Sequence, residues 1–162
     1  MIFVTVGTHE QSFDRLIKKI DELIENKLIN EEVFIQKGYT DYEVKNCKSS
    51  KLIDYRTMEK MLRKSRLVIT HGGPATIMQA WQVNKIPIVV PRNPKFDEHV
   101  DGHQIAFAKK LESEEKIIAI YDIDKISDVI LNSYDNRGIV YKKNSNFVNK
   151  FHKILTDLHK GD

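Results

Sequence analysis

An α/β fold, with a parallel sheet covered by helices on both faces, is predicted by three features of this sequence. Short apolar runs alternate with segments of helical periodicity along the chain. Glycine or proline follows several of these runs, as at connections between strands and helices. The length of 162 residues suits one domain with a sizeable core. We therefore predict a single domain over residues 1–162.

Six strands are predicted from the apolar runs. Glycines end the first two runs, at Gly7 and Gly38, and Pro91 ends the fifth. Residues 39–50 are polar and are predicted to form a loop. The predicted strands lie at residues 2–6, 33–36, 52–55, 67–70, 86–90 and 117–121.

The helices are predicted from apolar spacing and from their first residues. Between Phe13 and Ile24 the apolar residues recur at helical intervals. Thr57 is expected to cap a second helix, and Pro74 suits a first helical position. The remaining helices are predicted at residues 74–83, 101–111, 124–133 and 146–159.

Composition excludes several classes of protein. A hydrophobic content of 41% with 30% charged residues is typical of a folded chain, and a net charge of +3 does not predict a nucleic-acid partner. The single cysteine, Cys47, cannot form an internal disulfide, which suits a reducing compartment. The first strand does not have the features of a signal peptide, and no apolar run is long enough to span a membrane. A cytoplasmic protein is therefore expected.

The segment 68–78 is the most informative motif. An apolar run ends in Gly72 and Gly73, and a helical sequence follows at once. Free N–H groups and the helix dipole at such a helix start favour phosphate, Pro74 suits the first turn, and Thr76 adds a hydroxyl. An ordinary strand–turn–helix joint is the alternative interpretation.

Two further strand ends carry polar groups, at residues 7–10 and 91–104. Parallel sheets bind ligands at these ends. The glycine pattern of dinucleotide-binding folds and the lysine motif of nucleoside triphosphate hydrolases are both absent, so neither cofactor class is expected.

The stretch 92–104 permits two interpretations. Arg92 suits a diphosphate, while Glu98, His103 and Gln104 suit sugar hydroxyls. Alternatively, His99 and His103 are four residues apart and could ligate a metal.

Three blocks of the sequence together resemble the donor-binding, C-terminal half of glycosyltransferase family 28 enzymes of the GT-B type. These blocks are residues 3–13, 67–78, and 87–92 with 98–104. The resemblance implies a Rossmann-like fold, as one half of a GT-B enzyme. It is nearest to small catalytic subunits of two-component bacterial capsule and exopolysaccharide transferases. These are similar to the cytosolic subunit of the dolichol-linked N-acetylglucosaminyltransferase.

The resemblance also implies which residues bind the donor. Gly72, Gly73, Pro74 and Thr76 match the diphosphate turn, Gln104 matches a sugar contact, and residues 53–58 lie where the family holds uracil. Gln79 replaces a glutamate that binds ribose in many relatives, which puts its ribose role in doubt. The full predicted donor set is Gly7, Thr8, Tyr55, Met58, His71, Gly72, Gly73, Pro74, Thr76, Gln79, Arg92, Glu98, His99, His103 and Gln104.

The implied reaction is inverting transfer of a hexose from a UDP-sugar to a polyprenyl-diphosphate-linked acceptor. Galactose is preferred, with glucuronic acid and N-acetylglucosamine open. UDP-sugar is a substrate, and no cofactor or metal is expected. His9 is either the catalytic base or a donor-orienting residue, and Glu10 or the partner is the alternative base.

The resemblance places the acceptor site on a separate, membrane-anchored subunit, which would recruit this chain to the inner face of the membrane. The helix at 146–159 either packs on its own core or docks to that partner or to the membrane. The alternative functions are a non-catalytic UDP-sugar-binding regulatory module and a self-sufficient UDP-sugar enzyme, a transferase or an epimerase.

Overall fold

The structure is a computed structural model that describes residues 1–133. These residues form a six-stranded sheet in the order β3-β2-β1-β4-β5-β6, with every neighbouring pair parallel. The strands are β1 (Ile2–Thr5), β2 (Val33–Gln36), β3 (Lys48–Ser50), β4 (Leu67–Thr70), β5 (Ile88–Val89) and β6 (Ile118–Ala119). The helices are α1 (Asp14–Glu25), α2 (Tyr55–Lys64), α3 (Pro74–Gln82), α4 (His103–Ser113) and α5 (Ile126–Asn132), with 3-10 turns at Pro94–Phe96 and Ile123–Lys125.

Alternate strand residues feed two cores, one on each face of the sheet. Ile2 and Val4 of β1 pack with α1 and α5 on one face. Phe3 and Val68 face α2 and α3 on the other, where α3 also packs against α4. The predicted Rossmann-like α/β fold is confirmed.

The third predicted strand is wrong. Leu52 is 46% exposed, and the strand that pairs with β2 lies earlier, at Lys48–Ser50, inside the segment predicted as a loop. Because β3 is an edge strand and two of its three residues are exposed, it needs no apolar run. Its polar sequence therefore does not identify it.

The start of α2 differs from the prediction for the same segment. Asp54 caps the helix, because its Oδ1 accepts a hydrogen bond from the Thr57 N–H at 2.7 Å. Thr57 therefore lies inside the first turn.

β2 and β4 have the predicted bounds, and the remaining predicted strands and helices up to residue 133 are present with shifted ends. None of the helices in residues 1–133 has the length and apolarity to cross a membrane. The predicted helix at 146–159 lies outside the described residues.

Candidate functional site

The carboxyl ends of β1 and β4 meet at the point where the strand order reverses. Thr5 and Thr70 are partners at these ends, and each strand continues into a glycine-containing loop. In the sheet, β1 pairs with β2 on one side and with β4 on the other. In parallel α/β sheets, this reversal opens a crevice outside the strand ends, where ligands bind.

His71 fills the space between the two loops. A Cβ on Gly7 would lie 2.5 Å from His71 Cε1, and a Cβ on Gly73 would overlap Nε2 of the same ring. Gly7 also has a φ of +74°, which disfavours other residues. Both glycines therefore make room for the imidazole, a requirement that the sequence motif did not reveal.

The environment of His71 keeps its ring neutral. Burial, aided by the nearby charge of Arg92, lowers the pKa of His71 to about 3. The side chain is 8% exposed, and its Nδ1 lies 3.3 Å from Thr70 Oγ1. His71 therefore shapes the crevice without adding charge to it.

The N-terminus of α3 opens at this crevice. Gly73 is the N-cap residue without a side-chain cap, and Pro74 occupies the first turn. In the described part of the chain, the N–H groups of Gly73, Ala75 and Thr76 have no hydrogen-bond acceptor. These donors and the helix dipole give a partial positive charge suited to an anion.

The side chain of Gln104 links the loops that follow β4 and β5. Its Oε1 accepts from the N–H of Gly72 at 3.1 Å and from the N–H of Arg92 at 3.2 Å. A Cβ on Gly72 would lie 2.8 Å from Gln104 Cβ, so glycine permits this close approach. The side-chain oxygen of Gln104 is thus occupied by two backbone N–H groups of the protein, while its Nε2 has no hydrogen-bond partner within residues 1–133.

Arg92 has a different role from the predicted diphosphate ligand. Its side chain is fully buried, and its guanidinium donates to the carbonyl oxygens of four residues. These are Val6 at 3.1 Å, Gln11 at 2.8 Å, Ser12 at 3.2 Å and Glu98 at 3.0 Å. Burial lowers the Arg92 pKa to about 10, so the group remains charged at neutral pH. The guanidinium holds the loop after β1 and does not face the crevice.

Glu98 likewise departs from its predicted contact with sugar hydroxyls. Both of its carboxylate oxygens bond Arg15, at 2.9 Å each, and Oε2 also accepts from the Asn93 N–H. The side chain is buried, which leaves it no access to a ligand. Sequence reasoning missed Arg15, because a cation in the first turn of an amphipathic helix looks like a solvated residue.

His9, His99 and His103 gather on the loop side of the crevice. The rings of His9 and His99 stack with centroids 4.7 Å apart. Asp101 lies between His99 and His103, with its carboxylate oxygens 3.1 Å and 3.2 Å from their Nδ1 atoms.

A hydrogen bond from the backbone N–H of His103 lowers the pKa of Asp101. No group of three or more His, Cys, Asp or Glu residues in the described range is arranged to hold a metal ion. His99 and His103, the alternative metal ligands predicted from the sequence, both lie beside the carboxylate of Asp101.

Tyr55 and Gln79, predicted on the nucleoside side, come together in a cleft between α2 and α3. This shallow cleft has a volume of about 30 Å³ and is also lined by Glu59, Arg63 and Val83. Tyr55 is 67% exposed, whereas the predicted ligand Met58 packs against the core beneath the helices.

The remaining predicted site residues lie in the loop after β1. Thr8 and Glu10 are exposed, and His9 is half-buried. They therefore lie at the surface, just beyond the carboxyl end of β1.

The fold and this crevice define a Rossmann-like domain of the kind that forms one half of a GT-B glycosyltransferase. The model of the glycosyltransferase family 28 C-terminal domain matches residues 1–158, and the chain belongs to this family.

A solved structure described as the glycotransferase of kitacinnamycin is similar over 98% of this chain, with a TM-score of 0.61 and 13% identity. At that identity the similarity concerns the fold. The chain spans 39% of that protein's length. No curated protein matches the chain.

Proposed function

We propose that this chain binds the donor in a UDP-sugar-dependent inverting glycosyltransferase of capsule or exopolysaccharide synthesis. It would transfer a hexose, with galactose preferred over glucuronic acid or N-acetylglucosamine, to a polyprenyl-diphosphate-linked sugar. Family membership supports sugar transfer. The chain spans 39% of the glycotransferase it resembles, and we propose that the acceptor site lies on a second, membrane-associated subunit. That subunit would recruit this chain from the cytoplasm to the inner membrane face.

The open N-terminus of α3 carries the proposal. The N–H groups of Gly73, Ala75 and Thr76 suit the diphosphate of the donor. When the sugar–oxygen bond breaks, UDP leaves and its diphosphate gains negative charge. A helix terminus that binds this charge more strongly as it develops lowers the barrier. This interaction needs no metal ion, and the proposal includes none.

The rest of the donor would extend to either side of α3. Tyr55 and Gln79 border the cleft between α2 and α3, where an aromatic ring and an amide suit a base and a ribose. On the other side, His103 is exposed and Gln104 keeps an unbonded Nε2, so both suit sugar hydroxyls.

His9 is the candidate base on this chain. Gln11 Nε2 donates to the carbonyl oxygen of Asp97, so Gln11 Oε1 accepts from His9 Nε2 at 2.9 Å. This assignment puts the proton on Nε2 and leaves the lone pair of Nδ1 to take a proton from the acceptor hydroxyl. Glu10 or the partner would supply the base if His9 only orients the donor. His9→Gln in the assembled enzyme should retain less than about a tenth of the activity if His9 is the base.

Calorimetric titration with UDP and the three UDP-sugars, with EDTA present, tests the donor site. Ala75 is exposed at the second position of α3, so Ala75→Asp suits the helix dipole but places a negative charge at the diphosphate position. We expect this variant to bind UDP at least about tenfold more weakly. Ser127→Asp, at the second position of α5, adds the same charge elsewhere and should leave binding unchanged. Equal affinities of the two variants would overturn the site.

Transfer of labelled sugar from each UDP-sugar to membrane lipid tests the reaction. Activity that requires both this chain and membranes carrying the acceptor subunit supports the two-subunit enzyme. Activity of the chain alone would indicate a self-sufficient enzyme, and UDP-sugar binding without any transfer would indicate a regulatory module.

A further inference from the structure

The positive charge of this chain is concentrated in residues 45–64. This segment contains seven Lys and Arg residues and two Asp and Glu residues, a net charge of +5. The full chain has a net charge of +3, so the remaining residues together carry −2. A local excess of this kind creates a positive potential over one part of the surface.

Four of these cations share one face of α2. Arg56, Lys60, Arg63 and Lys64 are spaced at i, i+4, i+7 and i+8 and line one shallow surface depression. We call them the α2 basic face. The opposite side of the helix carries Leu62, which is buried, and the partly buried Met58 and Met61. Because the apolar side is used by the protein's own core, the basic face is directed outward.

Half of the α2 basic face is not neutralised by neighbours. Arg63 pairs with Glu59 at 2.7 Å, and Lys64 lies 3.8 Å from Glu32. Arg56 and Lys60 have no carboxylate within 4.0 Å among residues 1–133. A lysine on an edge strand, such as Lys48, has an ordinary role in preventing strand pairing. That explanation does not extend to the cations of α2.

An exposed apolar side chain lies just before the N-terminal end of the same helix. Leu52 is 46% exposed. Cations bind the phosphates of a lipid surface, while a Leu side chain enters the region between headgroups and acyl chains. A nucleic acid would use the cations but would give an exposed leucine no favourable contact.

We propose that the α2 basic face docks directly on an anionic lipid bilayer, with Leu52 as a shallow apolar anchor. The contact is electrostatic and reversible, because the apolar face of α2 remains in the protein core. It would hold the crevice beside a membrane surface without the acceptor subunit. The inference stands on charge and exposure and does not depend on which sugar nucleotide is bound.

Flotation of the full chain with vesicles tests this proposal. We expect binding to vesicles of about 30% phosphatidylglycerol in phosphatidylcholine at about 0.1 M salt. Raising the salt to about 0.5 M should abolish that binding. Vesicles of phosphatidylcholine alone should not bind. Each cation near an anionic surface contributes about fivefold to partitioning, so Arg56→Gln with Lys60→Gln should weaken binding about 30-fold.

The matched control is Lys18→Gln with Lys109→Gln, which removes two exposed cations from α1 and α4. It should change vesicle binding less than about threefold. Leu52→Ser should also weaken vesicle binding at about 0.1 M salt. Equal effects of the two double variants would overturn the proposal, as would tighter binding to a nucleic acid of the same charge. UDP titration of Lys60→Gln, a substitution outside the segment 53–58, should be unchanged, which separates this proposal from that of the donor site.

Discussion

Replacing Arg92 with methionine distinguishes a structural role from a ligand-binding one. The buried guanidinium donates to carbonyl oxygens of Val6, Gln11, Ser12 and Glu98, and lies 4.9 Å from the centre of the Phe13 ring. Methionine retains most of the apolar contact but leaves these four acceptors without their donor. The main effect should therefore be on the free energy of unfolding.

The size of this effect follows from two opposing contributions. Three of the four acceptors share the two hydrogens of Nη1, so Arg92 donates about three hydrogen bonds; at about 1.5–3 kcal/mol each these give a gross loss of about 4.5–9 kcal/mol. Removing a buried charge regains several kcal/mol of desolvation. The net loss for deleting one member of a buried charge network is about 3–5 kcal/mol, and we expect a value in that range. Arg92→Lys keeps the charge but has only three donors and no planar fork, so it should lose about half as much.

Urea denaturation followed by circular dichroism measures the loss. Arg63→Met is the matched control, because Arg63 is exposed and makes one pair within its helix. It should cost about 0.5 kcal/mol or less. A diphosphate ligand would behave in the opposite way. If Arg92→Met kept its stability but bound UDP about 30-fold more weakly, the structural assignment of Arg92 would be refuted.

Three further predictions concern the strand ends and α2. Gly7→Ala should destabilise the protein by about 2–4 kcal/mol in thermal melts, because Gly7 has a φ of +74° and its Cβ would contact His71. The control is Gly102→Ala, whose Cβ meets no atom within 4 Å and which should change stability by at most about 0.5 kcal/mol. Equal losses would contradict this account. The lowered pKa of His71 means that the unfolded state, with a pKa near 6.5, takes up a proton that the folded state excludes. Stability should fall as pH decreases from about 6.5 towards 3, by up to about 1.4 kcal/mol per pH unit, and an NMR titration of the His71 ring near pH 6.5 would disprove the assignment. Asp54→Ala should lower the free energy of unfolding by about 1 kcal/mol in urea denaturation, because α2 loses its cap. Thr57→Ala keeps the N–H donor and should lower it by less than about 0.5 kcal/mol. If Thr57→Ala were the more damaging change, Thr57 and not Asp54 would be the cap.

The parts of the fold that the sequence predicts are those that bury apolar residues. β1, β2 and β4 lie inside the sheet and were recognised from their apolar runs. The edge strand β3 was not, because pairing with β2 supplies its hydrogen bonds while its side chains stay mostly in solvent. Local pattern therefore identifies strands through burial, and it fails where pairing alone defines the strand.

The polar residues of the candidate site were found as a group but were not separated by role. A sequence shows that Arg92 and Glu98 follow a strand, but not that both find their partners inside the protein. Arg15 and Gln11 complete that network from a distant part of the chain. Each of the two lies about 80 positions from its partner, a separation at which no local pattern carries information. The glycine turn was easier to recognise, because its backbone requirement is local.

Some polar groups near this crevice are bonded within the protein and others have no partner, and this difference determines how the crevice can bind an anion. Arg92 donates from its two Nη atoms to carbonyl oxygens, and Arg15 donates to carboxylate and carbonyl oxygens, while the Nε of Arg92 is buried without a partner. His71 is neutral and adds no charge. In the part of the chain that the structure describes, the N–H groups of Gly73, Ala75 and Thr76 at the start of α3 are unbonded and face the crevice floor. Backbone dipoles held by a buried network would need little reorganisation as charge develops on the leaving diphosphate of the proposed reaction, and this preorganisation is the physical advantage of using arginines to hold the loops.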